Sequence, residues 1–189
     1  RGAVLLWFGY GLASAAGLMA IGHASGMVVA AGGDPTMAAR GAMVINLGNA
    51  LGGVVAGLAM DKLPPGWPLT GLPLVTAAAL AGLLMAGDPA PTVLALGVIG
   101  FAYGGTIAAY PAAVATHYGP ALAPVVYGRV FTAWGLAGLG APWLAGVIYD
   151  ATGSYRPALG LAGAAALASA LVAAGFARRA TSARSSTSA

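Results

Sequence analysis

Charged residues are scarce in this 189-residue chain: eight are Lys or Arg, four are Asp and none is Glu. They make up 6% of the sequence, whereas soluble domains carry charge on about a quarter of their residues. Because so few charges cannot cover a water-facing surface, the composition excludes an ordinary soluble domain. Hydrophobic residues reach 59%, and we predict that lipid surrounds most of the chain.

Cysteine is absent as well, which excludes disulfides and thiolate metal sites. The sequence contains no GK[ST], HExxH or CxxC pattern, and its four aspartates lie far apart along the chain. Catalytic carboxylate pairs and metal centres need such groups close together. We therefore predict no enzymatic activity, no cofactor and no metal site.

Long uncharged runs are what the sequence has in abundance. They predict an all-α membrane protein with one bundle of six transmembrane helices over residues 1–180. The predicted helices are 4–31, 41–60, 68–87, 92–116, 125–150 and 155–177. Residues 181–189 are rich in Ser, Thr and Ala and predict a disordered tail.

The basic residues sort unequally between the two sides that six spans define. One side receives Arg1, Lys62, Arg129, Arg178, Arg179 and Arg184, and the other receives Arg40 and Arg156. The positive-inside rule then predicts that both termini lie in the cytoplasm. Membrane topology thus explains the net charge of +4 better than nucleic-acid binding does. Because the first span follows Arg1 at once, we expect the chain to be part of a longer or processed polypeptide.

A short motif occurs twice at the end of an apolar span. Gly57–Asp61 reads GLAMD and Gly146–Asp150 reads GVIYD, and the two lie 89 residues apart, nearly half the chain. Gly and Asp are common at helix ends, so the motif alone leaves coincidence open. The matched spacing and the opposite orientation of the two spans favour a 3+3 inverted repeat.

Several tracts resemble one transporter superfamily. GLAMDK at 57–62 is similar to the loop motif G-x-x-x-D-[KR] of major facilitators, and 127–150 resembles helix 11 of the oxalate/formate antiporters and their bacterial monocarboxylate relatives. Residues 17–24 and 46–52 resemble helices 7 and 8 of that family. The resemblance implies the C-terminal half of such a transporter, helices 7 to 12, in a bacterial inner membrane. It also implies a second six-helix half as partner, alternating access, and a gating loop with Gly57, Asp61 and Lys62.

Seven residues inside the predicted spans are candidates for a substrate pathway. Histidine in lipid is costly unless it faces a cavity or a partner, while amides and hydroxyls can bind a carboxylate without a buried cation. The candidates are His23, Asn46, Asn49, Tyr103, Thr106, Tyr110 and Trp134. For each, hydrogen bonding or packing between helices is the alternative. For Tyr10, nearer the cytoplasmic end, a membrane-interface position is the simpler interpretation.

Two positions are informative because they lack a cation. In the oxalate-transporting member of that family a lysine occupies the position of Trp134, and among the relatives the tract that here ends at Gly53 usually ends in arginine. Without those cations a dianion such as oxalate would be unpaired and strongly disfavoured, so a monocarboxylate or a neutral substrate remains. Arg129 could attract anions at the cytoplasmic mouth or extend to the interface. The competing interpretation of the whole chain is a non-transporting subunit of a larger membrane complex.

Overall fold

The protein is a bundle of helices whose axes run between two common ends. The structure, a computed structural model, describes residues 2–187 and the side chains of residues 2–179; Arg1 and residues 188–189 lie outside the described residues. The helices of the described part are α1 (Gly2–Gly22), α2 (Ala24–Ala30), α3 (Pro35–Met60), α4 (Gly66–Met85), α5 (Pro89–Tyr118), α6 (Ala123–Thr152) and α7 (Arg156–Thr187). No strand occurs within that range.

Six of these helices are long and apolar enough to cross a membrane. The prediction of an all-α membrane protein with six spans is therefore confirmed. Helical backbone in α7 continues to Thr187, into the stretch for which the sequence predicted a disordered tail. The four residues directly before that stretch, 177–180, read ARRA, and Ala and Arg are strong helix formers.

The loops that connect the helices begin and end at turn-forming residues. Asp34 caps α3, because its side chain accepts a hydrogen bond from the backbone N–H of Met37 at 2.7 Å. Pro35 follows at the first position of the helix, where its missing N–H costs nothing. Gly119 and Gly153 end α5 and α6 with positive φ angles of 79° and 66°. These connections lie between the predicted spans, although α3 begins at Pro35, six residues before the predicted start at 41.

The first span differs from the predicted continuous helix over 4–31. α1 ends at Gly22, His23 lies in a turn, and α2 begins at Ala24. The backbone tightens there, since the N–H of His23 bonds to Ala20 O, three residues back. Gly22 lies so close to α6 that a Cβ on it would be 3.0 Å from Pro142 Cβ. We attribute the break to this contact and to the bond that His23 makes with α6, described below.

The packing of the helices repeats between the two halves of the chain. α1 packs against α6 and α7, and α5 packs in the same way against α3 and α4. Exchanging α1 with α5, α3 with α6 and α4 with α7 leaves this pattern unchanged. α1, α3 and α4 begin at Gly2, Pro35 and Gly66, and α5, α6 and α7 begin at Pro89, Ala123 and Arg156. Each helix of the first unit thus recurs 87 to 90 residues later.

Corresponding helices of the two units run in opposite directions. The start of α1 lies beside the end of α5, where a Cβ on Gly2 would be 2.7 Å from the Tyr118 hydroxyl. At the other end of the bundle, a Cβ on Gly33 would be 3.1 Å from Pro89 Cβ, at the start of α5. The arrangement agrees with the inverted 3+3 repeat that the duplicated G-x-x-x-D motif predicted.

Charge differs between the two ends of the bundle. The end where α4 begins and α5 ends, which we call the basic end, carries Lys62, Arg129, Arg178 and Arg179 together with Asp61. The opposite end carries Arg40 and Arg156 together with Asp34, Asp88 and Asp150. The described residues therefore show the asymmetry on which the predicted topology depends.

Candidate functional site

Hydroxyl-bearing and aromatic side chains converge where α1, α5 and α6 meet. We call this set the aromatic cluster: Tyr10 and Ser14 on α1, Tyr103 and Tyr110 on α5, and Tyr127, Phe131 and Trp134 on α6. The structure therefore brings together three of the seven predicted pathway residues, namely Tyr103, Tyr110 and Trp134.

A hydrogen bond between α5 and α6 lies at the centre of the cluster. The indole N–H of Trp134 donates to the Tyr103 hydroxyl oxygen at 2.8 Å. Tyr103 fits because α1 has Gly17 opposite its ring, where a Cβ would be 2.6 Å from Tyr103 Cδ2. Since the Tyr103 oxygen accepts the indole proton, its own O–H remains available as a donor.

Two tyrosines stack next to this bond, nearer the basic end. The rings of Tyr10 and Tyr110 have centroids 4.4 Å apart and planes inclined by 25°, and both side chains are fully buried. Gly9 leaves room for Tyr110, whose hydroxyl would lie 2.7 Å from a Cβ at that position. Ser169 of α7 fixes the same turn of α1 by donating to the Gly9 carbonyl at 2.8 Å. The interface position expected for Tyr10 is therefore wrong, because the repeat places it inside the bundle.

Two buried hydroxyls of α1 make no well-formed hydrogen bond among the described residues, although the Tyr127 hydroxyl lies near that of Tyr10. They belong to Tyr10 and Ser14, one turn apart on α1, and both side chains are 0% exposed. Most buried polar atoms in proteins have a partner, so two neighbouring exceptions mark the place where a ligand could bond. Ser14 was not among the predicted pathway residues. Its position one helical turn after Tyr10 nevertheless indicates, from the sequence alone, that the two side chains share a face of α1.

The α6 side of the cluster is a ladder of aromatic rings. Phe131 stacks on Trp134 with centroids 4.9 Å apart and planes inclined by 14°, and Tyr127 lies 5.6 Å from Phe131. Tyr10 of α1 contacts both Tyr127 and Phe131 at 6.5 and 6.4 Å. The ladder fixes the orientation of the Trp134 ring and hence of its N–H group.

His23 lies outside the cluster, near the opposite end of the bundle. Its Nε2 is 2.9 Å from the carbonyl oxygen of Pro142, and its Nδ1 is 3.5 Å from the Tyr155 hydroxyl. Because a carbonyl can only accept, Nε2 carries the proton and Nδ1 is the acceptor. Burial, with Tyr149 and Asp150 nearby, raises the pKa of Tyr155, so the phenol keeps the proton that it offers to Nδ1. Both ring nitrogens of His23 thus connect the break after α1 to α6 and to Tyr155.

Three other predicted pathway residues bond to, or pack on, neighbouring backbone. Asn46 is exposed and donates to Ala42 O of its own helix at 2.7 Å. Asn49 lies against α5, where its Oδ1 would be 2.6 Å from a Cβ at Gly104. Thr106 is buried on α5 and donates to Ala102 O one turn back at 2.8 Å. The two asparagines therefore belong to the α3 surface and to the α3–α5 contact.

The predicted gating loop lies at the basic end. Asp61 follows the last residue of α3 as its C-cap, and both it and Lys62 are exposed. A Cβ on Gly57 would meet nothing within 4 Å, so this glycine serves no close contact within the bundle. Arg129 is exposed on the second turn of α6, as expected for a residue at the cytoplasmic mouth or the interface. No cluster of possible metal ligands occurs in the described part of the chain.

These features define an integral membrane protein, a six-span helical bundle with a buried polar and aromatic cluster. No protein-family model matches the chain, and no curated protein matches it. The resemblance to major facilitators therefore stays a prediction that rests on the quoted tracts.

Proposed function

We propose that this chain is one six-helix half of a secondary transporter of the major facilitator type. In this proposal it moves a small organic anion, a monocarboxylate, by alternating access across a bacterial inner membrane, with both termini in the cytoplasm. Two three-helix units of opposite direction support the transporter architecture, because such repeats recur within each half of these transporters.

The observation that carries the proposal is the pair of buried hydroxyls at Tyr10 and Ser14, which make no well-formed hydrogen bond among the described residues. Beside them the Tyr103 hydroxyl accepts from Trp134 and so has its own proton to donate. Together they supply neutral donors inside the span region, suited to the oxygens of one carboxylate. A second negative charge would have no cation in the cluster to balance it, which is why we propose a monocarboxylate over oxalate.

The surface of the bundle is compatible with a second six-helix half. α3 and α6 are the outermost helices of the packing pattern and expose large apolar side chains, with Leu136 60% and Leu139 79% exposed. Part of this face would pack on the partner half and part on lipid. A site between the halves would then be reached alternately from each side of the membrane.

The test is uptake by liposomes that contain the protein with all of the polypeptide its gene encodes. We expect saturable uptake of a radiolabelled monocarboxylate such as formate or lactate, and much weaker uptake of oxalate. Imposing a proton gradient in either direction shows whether protons are coupled. Failure to take up any small carboxylate under all of these conditions would refute the transport proposal.

The same exposed faces also suit a non-transporting subunit of a larger membrane complex. In that case the liposomes would show no uptake, and purification in mild detergent would retain a stable partner protein on α3 or α6. The two functions therefore predict opposite results in the uptake assay.

A further inference from the structure

A second candidate site lies on the other side of the bundle, away from the aromatic cluster. A groove of about 570 Å³ opens between α4, α5 and α7 at the basic end. Its floor is made of small residues, Gly71, Ala113 and Ala174, one from each helix. A Cβ on Gly71 would meet nothing within 4 Å. The groove therefore exists because no large side chain occupies the place where the three helices diverge.

The rim of the groove has the chemistry of a membrane surface. Trp67 is 73% exposed at the start of α4, a position typical of the aromatic belt between lipid tails and headgroups. His117 and Arg178 lie on the rim, at the ends of α5 and of the α7 span. Phe176 holds the His117 ring with centroids 4.9 Å apart. None of the described residues that line the groove is acidic.

We propose that this groove binds an anionic phospholipid. The acyl chain would lie along the apolar floor over Gly71, and the phosphate would contact Arg178 and His117 at the rim. The groove is apolar along its length and has basic groups where the membrane spans end. This arrangement complements the acyl chain and the headgroup of one lipid molecule. A free phosphate would use only the rim, whereas the proposed occupant uses both parts.

Two variants, each with a matched control, test the basic residue and the apolar space of the groove separately. Arg178→Gln removes the basic rim residue, and Arg179→Gln, one residue further along α7 and not part of the groove, is its control. Gly71→Phe fills the floor, and Gly82→Phe on the same helix, also with nothing within 4 Å of its Cβ position, is its control. Both glycine sites accept a side chain without a direct clash, so folding should survive in each.

The measurement is native mass spectrometry or thermal stabilisation of the whole protein in detergent, with phosphatidylglycerol or phosphatidylcholine carrying the same acyl chains. We expect the wild type and both controls to prefer phosphatidylglycerol about five-fold, the contribution of one basic residue near a membrane surface. Arg178→Gln should bring the preference close to one, and Gly71→Phe should weaken both lipids. Equal binding of the two lipids by the wild type, an unchanged preference in Arg178→Gln, or unchanged affinities for both lipids in Gly71→Phe would overturn the proposal. Soluble glycerol phosphate that competes as well as the intact lipid would overturn it in favour of a free-phosphate site.

Discussion

The two helix pairs that the repeat relates, α3–α5 and α1–α6, are held together by different chemistry. In α3–α5 the backbones meet: a Cβ on Gly52 would overlap the Phe101 carbonyl oxygen, and one on Gly104 would overlap that of Asn49. In α1–α6 a Cβ on Gly11 would be 3.3 Å from Ala133 Cβ, and one on Gly22 would be 3.0 Å from Pro142 Cβ. Side chains add hydrogen bonds there, including Trp7 Nε1 to Thr132 Oγ1 at 2.9 Å.

The difference teaches that one architecture serves two purposes. Backbones packed through small residues have no intervening side chains to rearrange, so we expect α3–α5 to be the fixed pair. Side-chain hydrogen bonds can be exchanged for others, so we expect α1–α6 to be the adjustable pair. The aromatic cluster lies beside the adjustable pair, which is where a transport cycle would need movement.

The largest expected loss of stability comes from adding one methyl group at the contact between α3 and α5. Gly52→Ala forces Cβ against the Phe101 carbonyl, so the two helix backbones must separate, at a cost of about 3 kcal/mol or more. The apparent unfolding temperature in detergent measures this. Gly57→Ala on the same helix is the control, because a Cβ there meets nothing within 4 Å. Equal unfolding temperatures for the two variants would contradict the close backbone contact.

A smaller effect is expected where a side chain joins the adjustable pair. His23→Leu removes the bond to Pro142 O and should lower stability by about 1 kcal/mol. His23→Gln, which retains an N–H donor, should recover part of the loss. If the leucine and glutamine variants unfold at the same temperature as the wild type, the bond across the break does not stabilise α1–α6.

A still smaller loss of stability is expected for a substitution inside the aromatic cluster. Trp134→Phe keeps a ring against Phe131 but removes the donor to Tyr103, a loss of about 0.6 kcal/mol by the average for hydrogen bonds within membranes. A double-mutant cycle with Tyr103→Phe isolates the pair, because the double variant should cost about 0.6 kcal/mol less than the sum of the two single variants. Fully additive losses would show that the two groups do not interact.

The smallest effect is expected at Thr106. Its hydroxyl bonds to Ala102 O of its own helix, so Thr106→Val alters no contact between helices. Stability should change by less than about 0.5 kcal/mol, and uptake should not change. A marked loss of uptake without a loss of stability would restore Thr106 as a pathway residue.

The sequence predicted what depends on composition and on short-range chemistry. Uncharged runs and the residues between them gave six spans and their seams, since Asp34-Pro35 and Gly153 act locally on the backbone. The pairs Gly48/Gly52 and Gly100/Gly104 have a spacing typical of helix contacts, and all four glycines lie in the α3–α5 contact. The pair Gly53/Gly57 has the same spacing, yet Gly57 touches nothing, because spacing alone does not say which face meets a neighbour.

The sequence could not predict what depends on distant partners. The break at His23 follows from Pro142, which lies 119 residues further along the chain. Burial of Tyr10 requires α5 and α6 to cover it, and Asn46 found its acceptor within its own helix. Side-chain type restricted the candidates for the site, but only the three-dimensional packing separated those in the aromatic cluster from those on other surfaces.

The most direct test of the central claim is monocarboxylate uptake by liposomes containing the whole protein, compared among the wild type, Tyr10→Phe, Ser14→Ala and Thr106→Val. Removing a hydroxyl that bonds a charged substrate costs about 1.5 kcal/mol or more, so the first two variants should bind substrate about ten-fold more weakly. Thr106→Val should match the wild type. Uptake that is absent in the wild type, or unchanged in both Tyr10→Phe and Ser14→Ala, would contradict a substrate site at the aromatic cluster.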